Sequence, residues 1–447
     1  MSKDIRIKRG LTLRLKGEAE KQLVEAPRSR IYAIKPPDFH SVMPKMVVKE
    51  GDRVLAGDEI FYSKYTEEVK FTSPVSGTVL EINRGAKRRI MSITIEADFQ
   101  DTYKNFGTLD AASADADAVK KLIYESGCGA FIIQRPYDIV ADPKDNPKAI
   151  FISAVTTAPL AADKGFIVKD KIKEFQEGIY ALQKLTSGKV HLSVDKSSSE
   201  YLKDIKGVEL HHVTGPHPAG NVGVQIHHID PVNQGERVWA VGVEDVAIIG
   251  NVFLTGEYRA YRTVAVTGSE AKERKYYITK IGANSVDLVG EVPHDVRIIS
   301  GDVLTGDKIS NGQGLGFYPN TLTLIPEGNK YRMFGWLPFT YNNIHSNSRT
   351  SLSYLFPNKK FEPTTNLNGE ERALVVTGEM EQVLPMDVFP MQLIKACLGA
   401  DIEKMETLGI YEVAPEDFAL IDYVNTSKVE AQEIIRLGLD LMITEVG

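Results

Sequence analysis

The spacing of apolar residues changes character several times along the chain. Between Met46 and Ala97 it comes in short β-branched runs cut by turn residues: Met46-Val-Val-Lys-Glu-Gly-Asp-Arg-Val54, Gly57-Asp-Glu-Ile-Phe61, Val69-Lys-Phe71 and Gly77-Thr-Val-Leu-Glu-Ile82. This pattern predicts a small all-β unit over residues 1–100. From about Ser113 the period turns helical, with Val119, Leu122 and Ile123 on one face and Gly127 where a helix end uses a left-handed residue. The runs Ala149-Ile-Phe-Ile-Ser-Ala-Val155 and Lys189-Val-His-Leu-Ser-Val194 read as buried strands around a helix over Phe175 to Leu185. Strands joined through a helix pair in parallel, so residues 101–256 are expected to form an α/β domain. Alternation returns in Thr263-Val-Ala-Val266, Lys275-Tyr-Tyr-Ile-Thr-Lys-Ile281 and Arg297-Ile-Ile-Ser300, which marks a second β-rich unit over 257–330. Residues 331–382 form an irregular arm rich in aromatics, with Phe334, Trp336, Phe339, Tyr341 and Tyr354. Residues 383–447 are helical in pattern, with Pro415 suited to a first helical turn and Ser427-Lys-Val-Glu430 to a capping box.

At 447 residues the chain exceeds what one core organises, in keeping with roughly three or four compact units. No stretch approaches the ~18 consecutive apolar residues of a membrane helix. The N-terminus lacks the apolar block of a secretory signal, which predicts a cytoplasmic protein. The net charge of −7 disfavours attraction to nucleic acid or anionic lipid, so work at a membrane would require a protein partner. Cys128 and Cys397 stand far apart and outside any C-x-x-C arrangement, which indicates neither a disulfide framework nor a zinc or iron–sulfur site.

Each module has a known counterpart. Glu50-Gly51-Asp52-x-Val54, Gly57-Asp58 and Ser73-Pro-Val-Ser-Gly-Thr-Val79 are similar to the flattened β-barrel of biotinyl and lipoyl carrier domains. Carriers attach their cofactor to a lysine at a hairpin tip. Lys64 sits near that place, but its neighbours differ from those of biotin carriers, and it reads as a solvated hairpin lysine. The parallel-sheet unit is expected to be Rossmann-like, and the unit after it resembles a ligand-binding β-grasp module.

Gly215-Pro-His-Pro-Ala-Gly220, followed by Gly223, His227-His228 and Asp230-Pro231-Val232, is the most specific block. Such a turn lets a ligand approach the backbone closely. It lacks both the Lys-Ser/Thr of a P-loop and the three-glycine dinucleotide fingerprint. Five of the nine histidines, His211, His212, His217, His227 and His228, fall within eighteen positions. Neighbours on a strand point to opposite faces, so hydrogen-bonded structural histidines are favoured and no metal site is assigned.

This block occurs together with Lys70-Phe-Thr-Ser-Pro-Val-Ser-Gly-Thr-Val-Leu-Glu-Ile-Asn-Arg-Gly-Ala-Lys-Arg88, Leu160-Ala-Ala-Asp163, Leu254-Thr-Gly-Glu257, Arg297-Ile-Ile-Ser-Gly-Asp-Val-Leu-Thr-Gly306 and Val383-Leu-Pro-Met-Asp387. The set resembles, in order and over nearly the whole chain, the family of A subunits of the Na+-translocating NADH:quinone reductase. The resemblance implies a cytoplasmic subunit bound to membrane-embedded partners, notably the B subunit, in an enzyme passing electrons from NADH to ubiquinone or menaquinone while exporting Na+. It implies FMN, FAD, iron–sulfur and NADH sites on other subunits and no redox cofactor here. The same domain order is shared with the C subunit of the Rnf complex and the flavin-bearing subunit of complex I. Where those proteins cradle flavin phosphate on glycines, this chain reads Ser126-Gly-Cys-Gly-Ala-Phe-Ile-Ile-Gln-Arg-Pro-Tyr137. Where they carry an acidic turn, it reads Thr156-Thr-Ala-Pro159, and where they carry cluster cysteines, Glu412 to Lys428 has none. The resemblance therefore implies a degenerate flavin pocket and a ferredoxin-like helical domain without its cluster.

The expectation for the whole is an α/β multidomain protein whose vestigial flavin pocket takes a quinone. The candidate residues are Phe131 and Tyr137 for stacking, Arg135 as donor to a quinone oxygen, and His217 in the glycine-rich turn. Core packing for Phe131, pairing with Asp138 or Asp142 for Arg135, and surface exposure for Tyr137 are the alternative readings. A purely structural role, docking onto the membrane subunits, is the alternative function.

Overall fold

The computed structural model describes residues 3–328, 333, 345–347 and 352–446. In the β-barrel, one four-stranded sheet carries Ile31–Ile34, Ile90–Ala97, Gly77–Arg84 and Arg53–Val54, in that order. A three-stranded sheet of Pro44–Met46, Glu59–Ser63 and Lys70–Thr72 lies against it. Residues Ile60, Phe61, Phe71, Val79, Ile93 and Ile95 fill the barrel interior and are almost wholly buried. Lys64 is exposed at the hairpin after Glu59–Ser63, and its backbone N–H donates to Met43 O at 2.9 Å.

The chain visits two other sheets before it enters the barrel. Asp4–Arg6 pairs in parallel with Glu209–Thr214, and Leu23–Glu25 pairs in parallel with Tyr276–Lys280. Three-residue edge strands carry too few side chains to show a period, so their place depends on the sheet that accepts them.

The second sheet has seven strands. Its centre is parallel, in the order Glu209–Thr214, Lys189–Val194, Ala149–Ala154 and Val238–Val241, and Ile132–Arg135 adds antiparallel to the last. Helices Ile172–Gln183 and Val243–Thr255 pack together on one face. A Cβ on Gly250 would lie 1.8 Å from Glu174 O, so only glycine permits their close crossing. The stretch from Val246 to Phe253, predominantly apolar, is helical and buried nearly all round.

The third sheet has six strands, Asp307–Ile309, Val296–Ser300, Thr321–Pro326, Tyr261–Thr267, Tyr276–Lys280 and Leu23–Glu25. The C-terminal helices include Pro390–Leu398, Ile402–Thr407, Ala419–Val424 and Ala431–Glu445. Their apolar faces share one core with Ile5, Ile7, Leu13, Tyr137, Val213 and Val224 of the α/β region. The capping box expected at Ser427 does not form. The last helix begins at Ala431, whose N–H donates to Asp422 Oδ1 at 2.6 Å, while Ser427 Oγ donates to Ala373 O. A carboxylate from the preceding helix replaces the local cap. Phe334, Trp336, Phe339 and Tyr341 lie outside the described residues, and Tyr354 is half exposed. Both cysteines are free thiols, and burial pushes Cys128 up to about 12 and Cys397 up to about 11.

Candidate functional site

Open α/β sheets bind ligands outside the carboxyl ends of their strands, where the strand order reverses. Here the reversal lies between Ala149–Ala154 and Val238–Val241. Val238–Val241 leads through Gly242 into helix Val243–Thr255, whose N-terminus would suit an anion. The chain supplies that negative charge itself. Glu244 and Asp245 stand in the first helical turn, both buried. Arg262 Nη1 meets Asp245 Oδ1 at 2.7 Å, Lys171 pairs with Glu244, Thr263 N donates to Glu244 Oε1 at 2.9 Å and Asn320 Nδ2 to Oε2 at 2.6 Å. Burial drives the Glu244 carboxyl upward, but Lys171 and Arg262 outweigh it and hold it below its ordinary value.

Phe131 belongs to this closed region. It is 1% exposed, its ring stacks on Phe317 with centroids 5.0 Å apart, and the Arg262 guanidinium lies 5.8 Å from its centroid. It packs as core and presents no face to a ligand. Arg135 sits at the other end of the same short strand, opposite Val238, whereas Ile132 next to Phe131 is opposite Val241.

Arg135 is buried and surrounded by three carboxylates. Its Nη2 is 2.6 Å from Glu416 Oε1, its Nη1 3.2 Å from Asp417 Oδ2 and its Nε 3.5 Å from Asp138 Oδ1. Pairing with Asp138 is thus joined by two acidic residues of the helical region that no local pattern indicates. One guanidinium cannot neutralise three carboxylates. Burial together with the nearby Asp417 and Asp138 charges raises the Glu416 carboxyl, against the pull of Arg135. Glu416 keeps 39% of its side chain accessible, whereas Asp417 has none. Tyr137 is buried rather than at the surface, its ring edge-on to Tyr411 at 6.3 Å.

The glycine-rich turn is what receives the helical region. A Cβ on Gly223 would lie 2.4 Å from Asp417 Oδ2, and Asn221 Nδ2 donates to Glu416 O at 3.0 Å. The close backbone approach that glycine permits is taken by a carboxylate of the same chain.

His217, in this turn, is 3% exposed. Thr157 Oγ1 accepts the Gly220 N–H at 2.8 Å and lies 3.2 Å from His217 Nδ1. The hydroxyl has one hydrogen and two lone pairs, so beside the Gly220 N–H it can either donate to Nδ1 or accept from it, according to the tautomer of the ring. The other ring nitrogen, Nε2, is buried with no hydrogen-bond partner among the described residues. Burial depresses the imidazole to about 4, so the ring is neutral at pH 7; Asp302 opposes this shift and Lys164 adds to it. Lys164 also faces Glu416 and Asp195, and burial pulls its ammonium below the usual lysine range. Thr157, Lys164, His217 and Glu416 thus form one polar cluster, in which Thr157 bonds His217 and the Lys164 charge acts on both His217 and Glu416. Lys164, Glu416 and Asp417 are absent from the sequence candidates because they meet only through long-range contacts. The signal available in sequence was the Pro415-Glu416-Asp417 helix start.

The other histidines go elsewhere. His227 Nδ1 is 2.6 Å from Glu412 Oε2 and its Nε2 accepts Asp387 N–H at 3.2 Å, while His228 Nε2 is 3.1 Å from Pro385 O. These two fasten the helical region. On Glu209–Thr214 His211 is buried and His212 exposed, as strand alternation requires.

Residues 5–98 match the family model described as the NqrA N-terminal barrel-sandwich hybrid domain, 114–258 that of the NqrA second alpha/beta domain and 263–311 that of the NQRA C-terminal domain. The chain is similar to proteins named as the A subunit of Na(+)-translocating NADH-quinone reductase. That of Marinomonas sp. is 36% identical over 98% of this chain and 99% of the relative. That of Alcanivorax borkumensis is 36% identical over 99% and 100%, and that of Neisseria meningitidis serogroup A 33% identical over 99% and 100%.

Proposed function

Because the chain belongs to the family of Na+-translocating NADH-quinone reductase A subunits, we propose that its part in that sodium-transporting respiratory complex is to bind the quinone headgroup beside His217. The observation that carries this is the Nε2 of a buried, neutral histidine, without a partner among the described residues; with the Thr157 hydroxyl donating to Nδ1, this nitrogen carries the ring proton and is a free donor. Leaving such a donor unmade costs about 1–3 kcal/mol, which a quinone carbonyl oxygen would repay. The Lys164 ammonium then favours negative charge as electrons arrive, and Glu416, with its carboxyl raised, holds a proton for the reduced ring. Arg135 acts through Glu416, which it positions, and Tyr137 packs edge-on against Tyr411 of the helical region.

In this reading the chain carries no redox group. The helix N-terminus at the strand reversal already holds Glu244 and Asp245, so phosphate there would meet two like charges. The helical region has Cys397 as its one cysteine, too few thiolates for a cluster. NADH, FMN, FAD and iron–sulfur centres then belong to other subunits, and the isolated chain is not a catalyst. No helix among the described residues is long and apolar enough to cross a membrane; in this reading the chain is peripheral, on the cytoplasmic face, docked to the membrane-embedded B subunit.

The test is equilibrium binding of a short-chain ubiquinone or menaquinone analogue to the purified chain, comparing wild type with His217→Ala and Phe131→Ala. The expected result is saturable binding weakened about tenfold or more in His217→Ala, one lost hydrogen bond. Phe131→Ala loses about 3–5 kcal/mol of stability while its folded fraction binds like wild type. Absence of saturable binding to folded wild type would favour the second reading, a protein that serves assembly. That reading draws on Phe389, Leu398 and Leu437, three large apolar residues exposed on the C-terminal helices.

A further inference from the structure

His191 and His211 lie on adjacent parallel strands in which His191 is opposite Glu209 and Ser193 opposite His211. His191 Nδ1 is 2.9 Å from His211 Nε2 and 3.6 Å from Glu209 Oε2, and the three ligand atoms lie within 4.8 Å of one another. Four ligands bound tetrahedrally at 2.0–2.1 Å stand about 3.3 Å apart, so the two measured separations straddle the spacing that one ion requires. Two imidazoles and one carboxylate, with a fourth position for water, are a donor set for zinc-class ions rather than for magnesium or calcium. The Phe151 ring, stacked on His191 with centroids 4.8 Å apart, fixes the plane of that imidazole. Both imidazoles are buried. Lys189 holds Glu209 Oε1 and competes with an ion for that carboxylate.

We propose that His191, Glu209 and His211 bind one zinc-class divalent ion, and that the ion releases the backbone N–H of Lys3. The second half follows from the proton inventory of His211. Lys3 N–H donates to His211 Nδ1 at 3.1 Å, so the ring hydrogen sits on Nε2 and donates to His191 Nδ1. An ion on Nε2 displaces that hydrogen to Nδ1, where it faces the Lys3 N–H, and two donors cannot share a bond. The N–H hydrogen changes nitrogen within a neutral ring, so no proton is gained or lost. The site therefore couples a metal to the point where the chain enters the edge of the seven-stranded sheet.

The full-length protein is titrated with Co2+ as the probe and followed by its visible absorption, with hydrogen exchange read at the Lys3 amide. One equivalent is expected to bind, with Lys3 exchanging faster in the loaded protein. Glu209→Gln, at a partly exposed position that keeps the fold, and His191→Gln are each expected to weaken binding by about 10–100-fold. No stoichiometric binding by folded wild type, or equal binding by wild type and Glu209→Gln, overturns the site. Tight binding with unchanged Lys3 exchange overturns the coupling.

Discussion

Two polar clusters on the α/β layer make an instructive pair. Around Glu244 and Asp245 nearly every charge has a partner: Arg262 and Lys171 supply cations, and Thr263 and Asn320 supply N–H groups. Around His217 the bonds are incomplete, because its Nε2 and Asp417 Oδ1 are buried without partners among the described residues and three carboxylates share Arg135. The first network, with both carboxylates paired and Arg262 Nε its one buried atom without a partner among the described residues, joins two domains, whereas the second holds capacity that a ligand can use. The difference separates a joint from a candidate site.

Three perturbations sharpen this contrast. The largest effect is expected from Arg262→Ala, which leaves Asp245 buried with its cation gone and Glu244 with Lys171 alone. It should cost about 3–5 kcal/mol in denaturant unfolding, while quinone affinity of the folded fraction stays as in wild type. A loss of affinity with unchanged stability would mean that the two clusters have been assigned the wrong way round.

Next comes pH. The folded His217 imidazole titrates at about 4 against an ordinary 6.5, so the unfolded chain takes up the proton first. Its stabilising contribution is complete above pH 6.5 and is lost as pH falls through 4, up to about 3 kcal/mol. His191, likewise depressed to about 4, acts in the same direction. Unfolding midpoints measured at pH 7.5 and 4.5 should show a smaller drop in His217→Gln than in wild type, and an identical drop would argue against a buried neutral imidazole.

Thr157→Val is the mildest change. It removes the hydroxyl that binds Gly220 N–H and sets the His217 tautomer, at a cost of about 1–3 kcal/mol. Quinone affinity should fall only several-fold, since the Nε2–H donor survives but is no longer imposed. Calorimetric binding would check this, and a loss as large as that of His217→Ala would make Thr157 itself the contact.

Local periodicity made much of the architecture legible. The barrel strands around Phe61, Phe71 and Val79, the helix that ends before Gly127 with φ 83°, and the strands at Ala149 and Lys189 all announce themselves within a few residues. Phe131, Arg135 and Tyr137 were also visible as unusual residues in a glycine-poor loop, and His217 as part of a specific block. Their roles were not visible. Phe131 became core because Phe317, nearly two hundred residues away, supplies its stacking partner. Arg135 became an interdomain clamp because Glu416 and Asp417 arrive from the far end of the chain.

The order of residues was enough to say which segments alternate and which turn helical, where glycine must stand, that thiolates are too few for a cluster, and which family the chain resembles. Folding had to add the edge strands at Asp4 and Leu23, the cap of the last helix by Asp422, the pairing of His191 with His211 and the unpaired nitrogen of His217. The physical reason is range. Periodicity and turn preference act over a few neighbouring residues, whereas hydrogen-bond satisfaction is complete only when every distant partner is in place.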